Sequence, residues 1–262
     1  MEIHILGSLS LTQGFQRWGV ASKRVSVVLA LLALSPGQPV PFDQLVDELW
    51  GDGHIANSKN ALQANVTRLR KLLASITGRQ GSDVIRTVSG GYVLDIPPEA
   101  VDAHRFRVLA DRGAALVGSD APRAVEVLEQ GLGMWRGTAL LDLSEGFRCR
   151  MEAAHLDERR LTAYEDLITA KLAVGEERVS VPELRHLAVE HPGRERLSEL
   201  LMLALYREGR QTEALEVFHG TRRRLADDLG LEPGRSLHEI YQAILKQDDI
   251  LGRPRQFLIQ TV

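Results

Sequence analysis

The spacing of hydrophobic and polar residues changes along the chain, and each change predicts a different element. Residues 1–11 alternate, with an interruption at Gly7, which predicts a strand followed by a loop through Gly19. The apolar run 25–34 predicts a buried helix that ends at Ser35-Pro36-Gly37. Residues 42–50 and 58–76 repeat with helical spacing, and a longer turn, 51–57, separates them. Segments 84–87 and 92–96 flank Ser89-Gly90-Gly91 and predict a hairpin.

The second half of the chain carries no strand pattern and reads as a series of helices. Their predicted limits are about 102–117, 121–133, 145–174, 180–190, 194–208, 211–229 and 234–247. Ala-Leu pairs recur where helices would approach each other, as in a degenerate tetratricopeptide-like repeat. We therefore predict a mainly α chain with a winged helix-turn-helix over 1–96, an all-α repeat domain over 98–247 and a frayed tail over 248–262.

The two halves of the chain differ in the sign of their charge, although the net charge of the whole chain is only −3. Residues 54–94 contain six basic residues and one acidic residue, whereas residues 98–262 contain 23 basic and 28 acidic ones. A basic segment on a mildly acidic body is typical of a local anion-binding site.

The basic residues of segment 58–76 lie opposite its apolar face. At about 100° per residue, four apolar side chains fall within about 40° of Leu62: Val66, Leu69, Leu73 and Ile76. The other face holds amides, hydroxyls, guanidiniums and an ammonium, but no carboxylate, and these are the groups that contact phosphates and base edges. A basic surface helix without a partner is the alternative explanation of this pattern.

The order of the elements favours DNA binding, since a helix, a turn, a basic helix and a hairpin make up a winged helix-turn-helix. The basic helix is then the recognition helix and the hairpin is the wing, unless the latter is an ordinary hairpin. The predicted contacts to double-stranded DNA are Lys59, Asn60, Gln63, Thr67, Arg68, Arg70 and Lys71 from the helix and Arg86, Thr87 and Ser89 from the wing.

Several motifs resemble one known family. They are Leu6-Gly7-Ser8-Leu9, Leu45-Val46-Asp47-Glu48-Leu49-Trp50-Gly51, Val66-Thr67-Arg68-Leu69-Arg70-Lys71-Leu72-Leu73, Gly90-Gly91-Tyr92-Val93-Leu94, Trp135-Arg136-Gly137, Ala204-Leu205-Tyr206-Arg207-Glu208-Gly209-Arg210-Gln211 and Leu225-Ala226-Asp227-Asp228-Leu229-Gly230. Together they resemble the Streptomyces antibiotic regulatory proteins, with an OmpR-type winged helix and a bacterial transcriptional activation domain. The resemblance implies a pathway-specific activator that binds direct repeats near promoters. It also implies that a second protomer binds on tandem repeats and that RNA polymerase is recruited, through its sigma factor and the C-terminal domain of its alpha subunit.

Other classes of function find little support. No stretch of 18 apolar residues, export signal, P-loop, GxSxG or HExxH is present, so we expect a cytoplasmic protein, associated with the nucleoid, without membrane contact, enzymatic activity, metal or cofactor. The single cysteine, Cys149, excludes an intrachain disulfide. The main alternative is a protein–protein adaptor whose repeat domain binds a peptide and whose winged helix does not bind DNA.

Overall fold

The computed structural model describes residues 1–51, 57–143, 145–248 and 251. Its contacts divide the chain into two compact units, one of residues 1–109 with 130–160 and the other of residues 110–129 with the chain from residue 161 onward. The first unit continues past the predicted domain boundary at residues 96–98, which stays a prediction. Most of the predicted turn 51–57 and most of the predicted tail lie outside the described residues.

The first unit begins with a three-stranded antiparallel sheet instead of one strand and a loop. Its strands are β1 (Glu2–His4), β2 (Ser10–Gln13) and β3 (Gln16–Gly19), in the order β1-β2-β3. Gly7, at φ +134°, separates β1 from β2, and Gly14, at φ +59°, permits the turn into β3. The sequence did not predict β3 because this edge strand has no buried residue and hence no alternation of buried and exposed positions.

The helix-turn-helix region contains the predicted helices and hairpin, and it also contains a short strand at Pro39–Pro41 and a short helix at Gly81–Val84 that the sequence did not predict. It consists of α1 (Lys23–Leu34), β4 (Pro39–Pro41), α2 (Phe42–Trp50), α3 (Ser58–Thr77), α4 (Gly81–Val84), β5 (Ile85–Val88) and β6 (Gly91–Leu94). The helix α3 ends at Gly78, whose left-handed conformation favours glycine. Its apolar face is buried, and it packs against α1 and α2. Strands β4, β6 and β5 form a second antiparallel sheet in that order, with β5 at the edge.

Strand β1 and the residues just after it are held from two sides by later parts of the first unit. Ile3 forms a parallel bridge with Val101. The backbone carbonyl of Leu6 accepts from the N–H of Arg136 at 2.9 Å. The carboxylate of Asp102 accepts from the N–H of Ile5 at 2.8 Å. The N-terminal sheet is therefore built together with residues 101, 102 and 136 of the same unit, which the sequence assigned to the helical half.

The second half of the chain consists of helices joined by short turns. They are α5 (Asp102–Leu116), α6 (Ala121–Leu132), α7 (Phe147–Ala173), α8 (Glu177–Glu190), α9 (Glu195–Arg207), α10 (Gln211–Leu229) and α11 (Arg235–Lys246), with short 3-10 turns at Pro98–Ala100 and Leu141–Leu143. In the second unit α9 packs against α8, α10 and α11, around a core that includes Leu200, Ala204 and Phe218. This is the predicted tetratricopeptide-like arrangement, and 67% of the residues that the structure describes are helical. Among the described residues, no helix is both long and apolar enough to cross a membrane.

Candidate nucleic-acid interface

The outer face of α3 is exposed and carries positive charge only. Six of the ten predicted contact residues lie exposed on it: Lys59, Asn60, Gln63, Thr67, Arg68 and Lys71. No Asp or Glu occurs anywhere in α3, so no carboxylate of this helix competes for these side chains. We call these six residues the basic face. Its Thr67 hydroxyl donates to the backbone carbonyl of Gln63 at 2.8 Å, which leaves the Thr67 methyl group available for an apolar contact.

The opposite side of α3 is buried in the first unit, which fixes the direction of the basic face. Leu62, Val66, Leu69 and Leu73 are each at most 1% exposed. Asn65 is also buried, and its amide donates to the backbone carbonyl of Ala61 at 2.8 Å. Because rotation of α3 would expose these side chains, the packing holds the basic face toward solvent.

The wing is the hairpin of β5 and β6, and it carries three predicted contact residues. Ser89 is exposed at its tip, next to Gly90 at φ +82°. Arg86 forms an ion pair with Asp95, 2.8 Å from Nε to Oδ2, with about half of each side chain exposed, at 53% and 49%. The Thr87 hydroxyl accepts a hydrogen bond from Arg70 at 2.9 Å. Arg86 and Thr87 are thus exposed, but each has a partner within the protein.

Arg70 differs from the other predicted residues because its side chain turns toward the wing. Its Nε and Nη2 donate to the backbone carbonyl of Ile85 at 2.9 and 2.6 Å. Its guanidinium lies 5.9 Å from the centre of the Tyr92 ring. Burial raises the pKa of Tyr92, and the charge of Arg70 acts in the opposite direction. The side chain of Arg70 therefore bridges α3, to which it belongs, and the wing.

Two glycines contribute to this site in ways that the sequence analysis missed. A Cβ atom at Gly91 would overlap the backbone carbonyl of Val40, because β6 runs close to β4 there. A Cβ at Gly81 would overlap the backbone of Arg70. Gly91 was interpreted only as part of the hairpin turn, and nothing in the local sequence pointed to Gly81.

Two basic residues at the start of α1, Lys23 and Arg24, have partners within the first unit. Lys23 pairs with Glu145. The Arg24 guanidinium lies over the Trp50 ring at 5.8 Å. In the part of the chain that the structure describes, no three His, Cys, Asp or Glu side chains come together in a way that would hold a metal ion.

Two protein-family profiles match successive parts of the chain. The profile of the C-terminal domain of transcriptional regulatory proteins matches residues 20–94, which include the helix-turn-helix and the wing. The profile of the bacterial transcriptional activator domain matches residues 101–245.

Individual relatives match over nearly the whole chain. The transcriptional regulator RedD of Streptomyces coelicolor is 46% identical over 255 residues, which are 97% of this chain and 73% of the relative. The regulatory protein DnrI of Streptomyces peucetius is 35% identical over 258 residues, or 97% of this chain and 95% of the relative. Among solved structures, Mycobacterium tuberculosis EmbR in complex with a low-affinity phosphopeptide has a TM-score of 0.92 at 29% identity, covering 99% of this chain and 67% of that one.

Both family profiles and the two Streptomyces relatives agree with the motifs found in the sequence. In this chain the two profiles place an OmpR-type winged helix before an activator domain. The chain belongs to the Streptomyces antibiotic regulatory protein family of transcriptional regulators.

Proposed function

We propose that the chain is a sequence-specific DNA-binding activator of a pathway for antibiotic or other secondary-metabolite biosynthesis. The observation that carries this proposal is the basic face of α3, which is exposed and free of carboxylates. A solvated helix ordinarily mixes both signs of charge, because oppositely charged side chains three and four residues apart stabilise it. A partner with a regular array of negative charge explains a face that excludes Asp and Glu.

In the proposed complex α3 lies in the major groove and the wing lies against the sugar-phosphate backbone. Asn60 and Gln63 offer amides suited to adenine, while Arg68 offers a guanidinium suited to guanine. Lys59 and Lys71 neutralise phosphates. Each bidentate base contact discriminates by only about 1–3 kcal/mol, so a single winged helix has limited specificity.

A second protomer on tandem sites overcomes this limit, because binding at one repeat raises the effective concentration at the next. We therefore propose direct repeats near promoters as the target. The helical domain then recruits RNA polymerase, through its sigma factor and the C-terminal domain of its alpha subunit, which are the partners that the resemblance implies. The site of action is the nucleoid in the cytoplasm.

The test is selection of genomic DNA. The purified chain is incubated with fragmented genomic DNA of its own organism, and the retained fragments are sequenced. We expect enrichment of fragments with direct repeats upstream of biosynthetic genes, and an affinity that falls steeply with salt. The double variant Arg68→Ala/Lys71→Ala should abolish enrichment, whereas Arg235→Ala, at a side chain on α11 that is 92% exposed, should not.

Two outcomes contradict the proposal. Either the wild-type chain retains no DNA at low salt, or the double variant retains the same fragments as the wild type. In the first case a folded chain that instead captures a protein through its helical repeats would support the adaptor function.

A further inference from the structure

We propose that Arg70 is a positioning residue that fixes the wing against the recognition helix, and that it does not itself contact DNA. This inference rests on the proposed function, since it concerns how the DNA-binding surface is assembled. It also separates Arg70 from Arg68 and Lys71, which the sequence placed in one group with it.

The hydrogen bonds of Arg70 give the first reason. Nε and Nη2 both donate to the carbonyl of Ile85, at 2.9 and 2.6 Å, and Nη2 also donates to the hydroxyl of Thr87 at 2.9 Å. A planar guanidinium holds such a set of acceptors in one fixed geometry, which a lysine ammonium does not reproduce. To reach a base or a phosphate with these atoms, Arg70 would have to give up all three bonds.

The place of β5 in the sheet gives the second reason. Strand β5 is at the edge of the order β4-β6-β5 and pairs with β6 on one side. Its other edge presents backbone groups that no strand of this sheet satisfies. The Ile85 carbonyl is one of the groups on β5, and Arg70 binds it from α3. Arg70 thereby links the recognition helix to the strand that carries Arg86 and Thr87.

The surroundings of Arg70 give the third reason. Tyr92 in β6 is 3% exposed, and its ring lies 5.9 Å from the guanidinium carbon. On the chain between α3 and β5, Gly81 comes so close that a Cβ atom would overlap the Arg70 carbonyl. The backbone and the side chain of Arg70 therefore both contact the segment that leads into the wing. In contrast, the side chains of Arg68 and Lys71 are exposed.

Two measurements on Arg70→Gln, Arg70→Lys and Thr87→Val test the role of Arg70. Hydrogen–deuterium exchange of the DNA-free chain reports on the wing amides, residues 85–91, and fluorescence anisotropy gives the salt dependence of DNA binding. We expect exchange in the wing to accelerate by about tenfold in both Arg70 variants, with the rest of the first unit unchanged. DNA affinity should fall by about tenfold in both, since a wing that is no longer held has to be ordered again before it makes its contacts on DNA.

The salt slope distinguishes positioning from phosphate contact. Arg70→Gln removes a charge, yet the slope should stay within experimental error, because the guanidinium neutralises no phosphate. The matched control Lys71→Gln, at the exposed next residue of the same helix, should lower the magnitude of the slope by about one and leave wing exchange unchanged. Thr87→Val removes the hydroxyl that accepts a hydrogen bond from Arg70, so it should accelerate exchange in the wing by less than the Arg70 variants do. In the double variant with Arg70→Gln it should add little, because that hydrogen bond is already lost.

The inference is overturned if Arg70→Gln leaves wing exchange at the wild-type rate, or if its slope drops by about one. It is also overturned if Arg70→Lys restores wild-type affinity, because charge alone would then suffice. Should Arg70→Gln fail to fold, Thr87→Val and Arg70→Lys decide by the same exchange measurement. If the wild-type chain binds no DNA, the proposed function fails, whereas the exchange data still decide whether Arg70 holds the wing.

Discussion

The carboxylate of Glu48 in α2 caps the first turn of α7, where it accepts a hydrogen bond from the backbone N–H of Cys149 at 2.8 Å. It also accepts from the N–H of Arg148 at 2.9 Å. These N–H groups lie in the first helical turn, where no carbonyl of the helix is available to them. A side chain of the helix-turn-helix thus stabilises the start of a helix within the region that matches the activator domain.

The cap predicts a measurable loss of stability in Glu48→Ala. N-terminal caps contribute about 0.5–2 kcal/mol, and a carboxylate also interacts favourably with the positive end of the helix dipole. We expect Glu48→Ala to lower the free energy of unfolding by about 1–2 kcal/mol in chemical denaturation. Asp47→Ala, on an exposed neighbouring position of the same helix, should change it by less than about 0.5 kcal/mol. Equal effects in the two variants would show that the cap contributes nothing specific.

Gly146 gives an independent test of the same cap. A Cβ atom at position 146 would overlap the Glu48 carboxylate, so Gly146→Ala should displace the carboxylate from the helix end. We expect a loss similar to that of Glu48→Ala, and the double variant should be no less stable than the worse single variant. Additive effects in this double-mutant cycle would mean that Gly146 acts through something other than Glu48.

Asp102 predicts a larger effect because its carboxylate is only 1% exposed and joins several elements. It accepts hydrogen bonds from the backbone N–H of Ile5 at 2.8 Å and from Arg136 Nη2 at 3.0 Å. Breaking a fully buried ion pair costs about 3–5 kcal/mol, and the lower end of that range applies here because the Arg136 side chain is 31% exposed. We expect Asp102→Asn to lose about 3 kcal/mol at neutral pH. The exposed Asp142→Asn serves as the control and should stay near the wild type.

The effect of Asp102→Asn should shrink in acid. Burial alone would raise the pKa of Asp102, but hydrogen bonds from His4, Ile5 and Arg136 outweigh it and hold this pKa below its ordinary value. A depressed pKa contributes stability that is present above the ordinary value of about 3.9 and is lost as the pH falls through the folded-state pKa. Denaturation should therefore show nearly the same difference between wild type and variant at pH 7 and pH 5, and a smaller difference at pH 3.5. If the difference in the free energy of unfolding stays constant with pH, protonation of Asp102 does not account for the stability that the wild type loses in acid.

Arg207 holds together helix ends in the second unit. It donates to the carbonyl of Leu172 at 2.9 Å and to that of Leu251 at 2.8 Å, and it lies 3.5 Å from Glu177. Hydrogen bonds to a charged donor contribute about 1.5–3 kcal/mol each, so Arg207→Met should lower the free energy of unfolding by about 3 kcal/mol. Arg235→Ala, at an exposed side chain of α11, should have little effect. Wild-type stability of Arg207→Met would show that packing of the side-chain stem, and not the guanidinium, matters.

Helices were predictable from the sequence because burial of one face leaves a regular pattern. The limits of α2 and α10 agree with the predicted 42–50 and 211–229, and α3 ends one residue later than predicted. The family, and with it the conclusion that the chain is not an enzyme, is confirmed by the matches to transcriptional regulators. Strand β3 has no buried residue, so it left no pattern to find.

Contacts between distant residues account for what the sequence could not predict. Arg70 lies about 80° from Leu62 on the helical wheel, at the border of the two faces, where spacing does not decide which way a long side chain turns. Its acceptor Ile85 is fifteen residues away along the chain. The cap of α7 by Glu48 joins residues 101 positions apart and has no local signal. The DNA-contact residues themselves remain predictions, although the basic face is exposed as expected.

Asp95 holds Arg86 of the wing in an ion pair within the protein, and this pair predicts a gain of function. Both side chains are about half exposed, at 53% and 49%, and such pairs contribute about 0.2–1 kcal/mol. If Arg86 contacts a phosphate in the complex, it has to leave Asp95 first. Asp95→Asn removes that competition and one negative charge beside the DNA. We therefore expect Asp95→Asn to bind DNA up to about fivefold more tightly at fixed salt.

Measured by anisotropy, the gain should disappear in the double variant Asp95→Asn/Arg86→Gln, because it requires Arg86. Asp83→Asn, an exposed acid in α4 that forms no part of this ion pair, serves as the matched control for the change in net charge. An equal gain in affinity from Asp83→Asn would show that the gain comes from the change in net charge and not from the release of Arg86. No gain from Asp95→Asn would remove Arg86 from the wing's contacts, since a freed guanidinium near a phosphate strengthens binding.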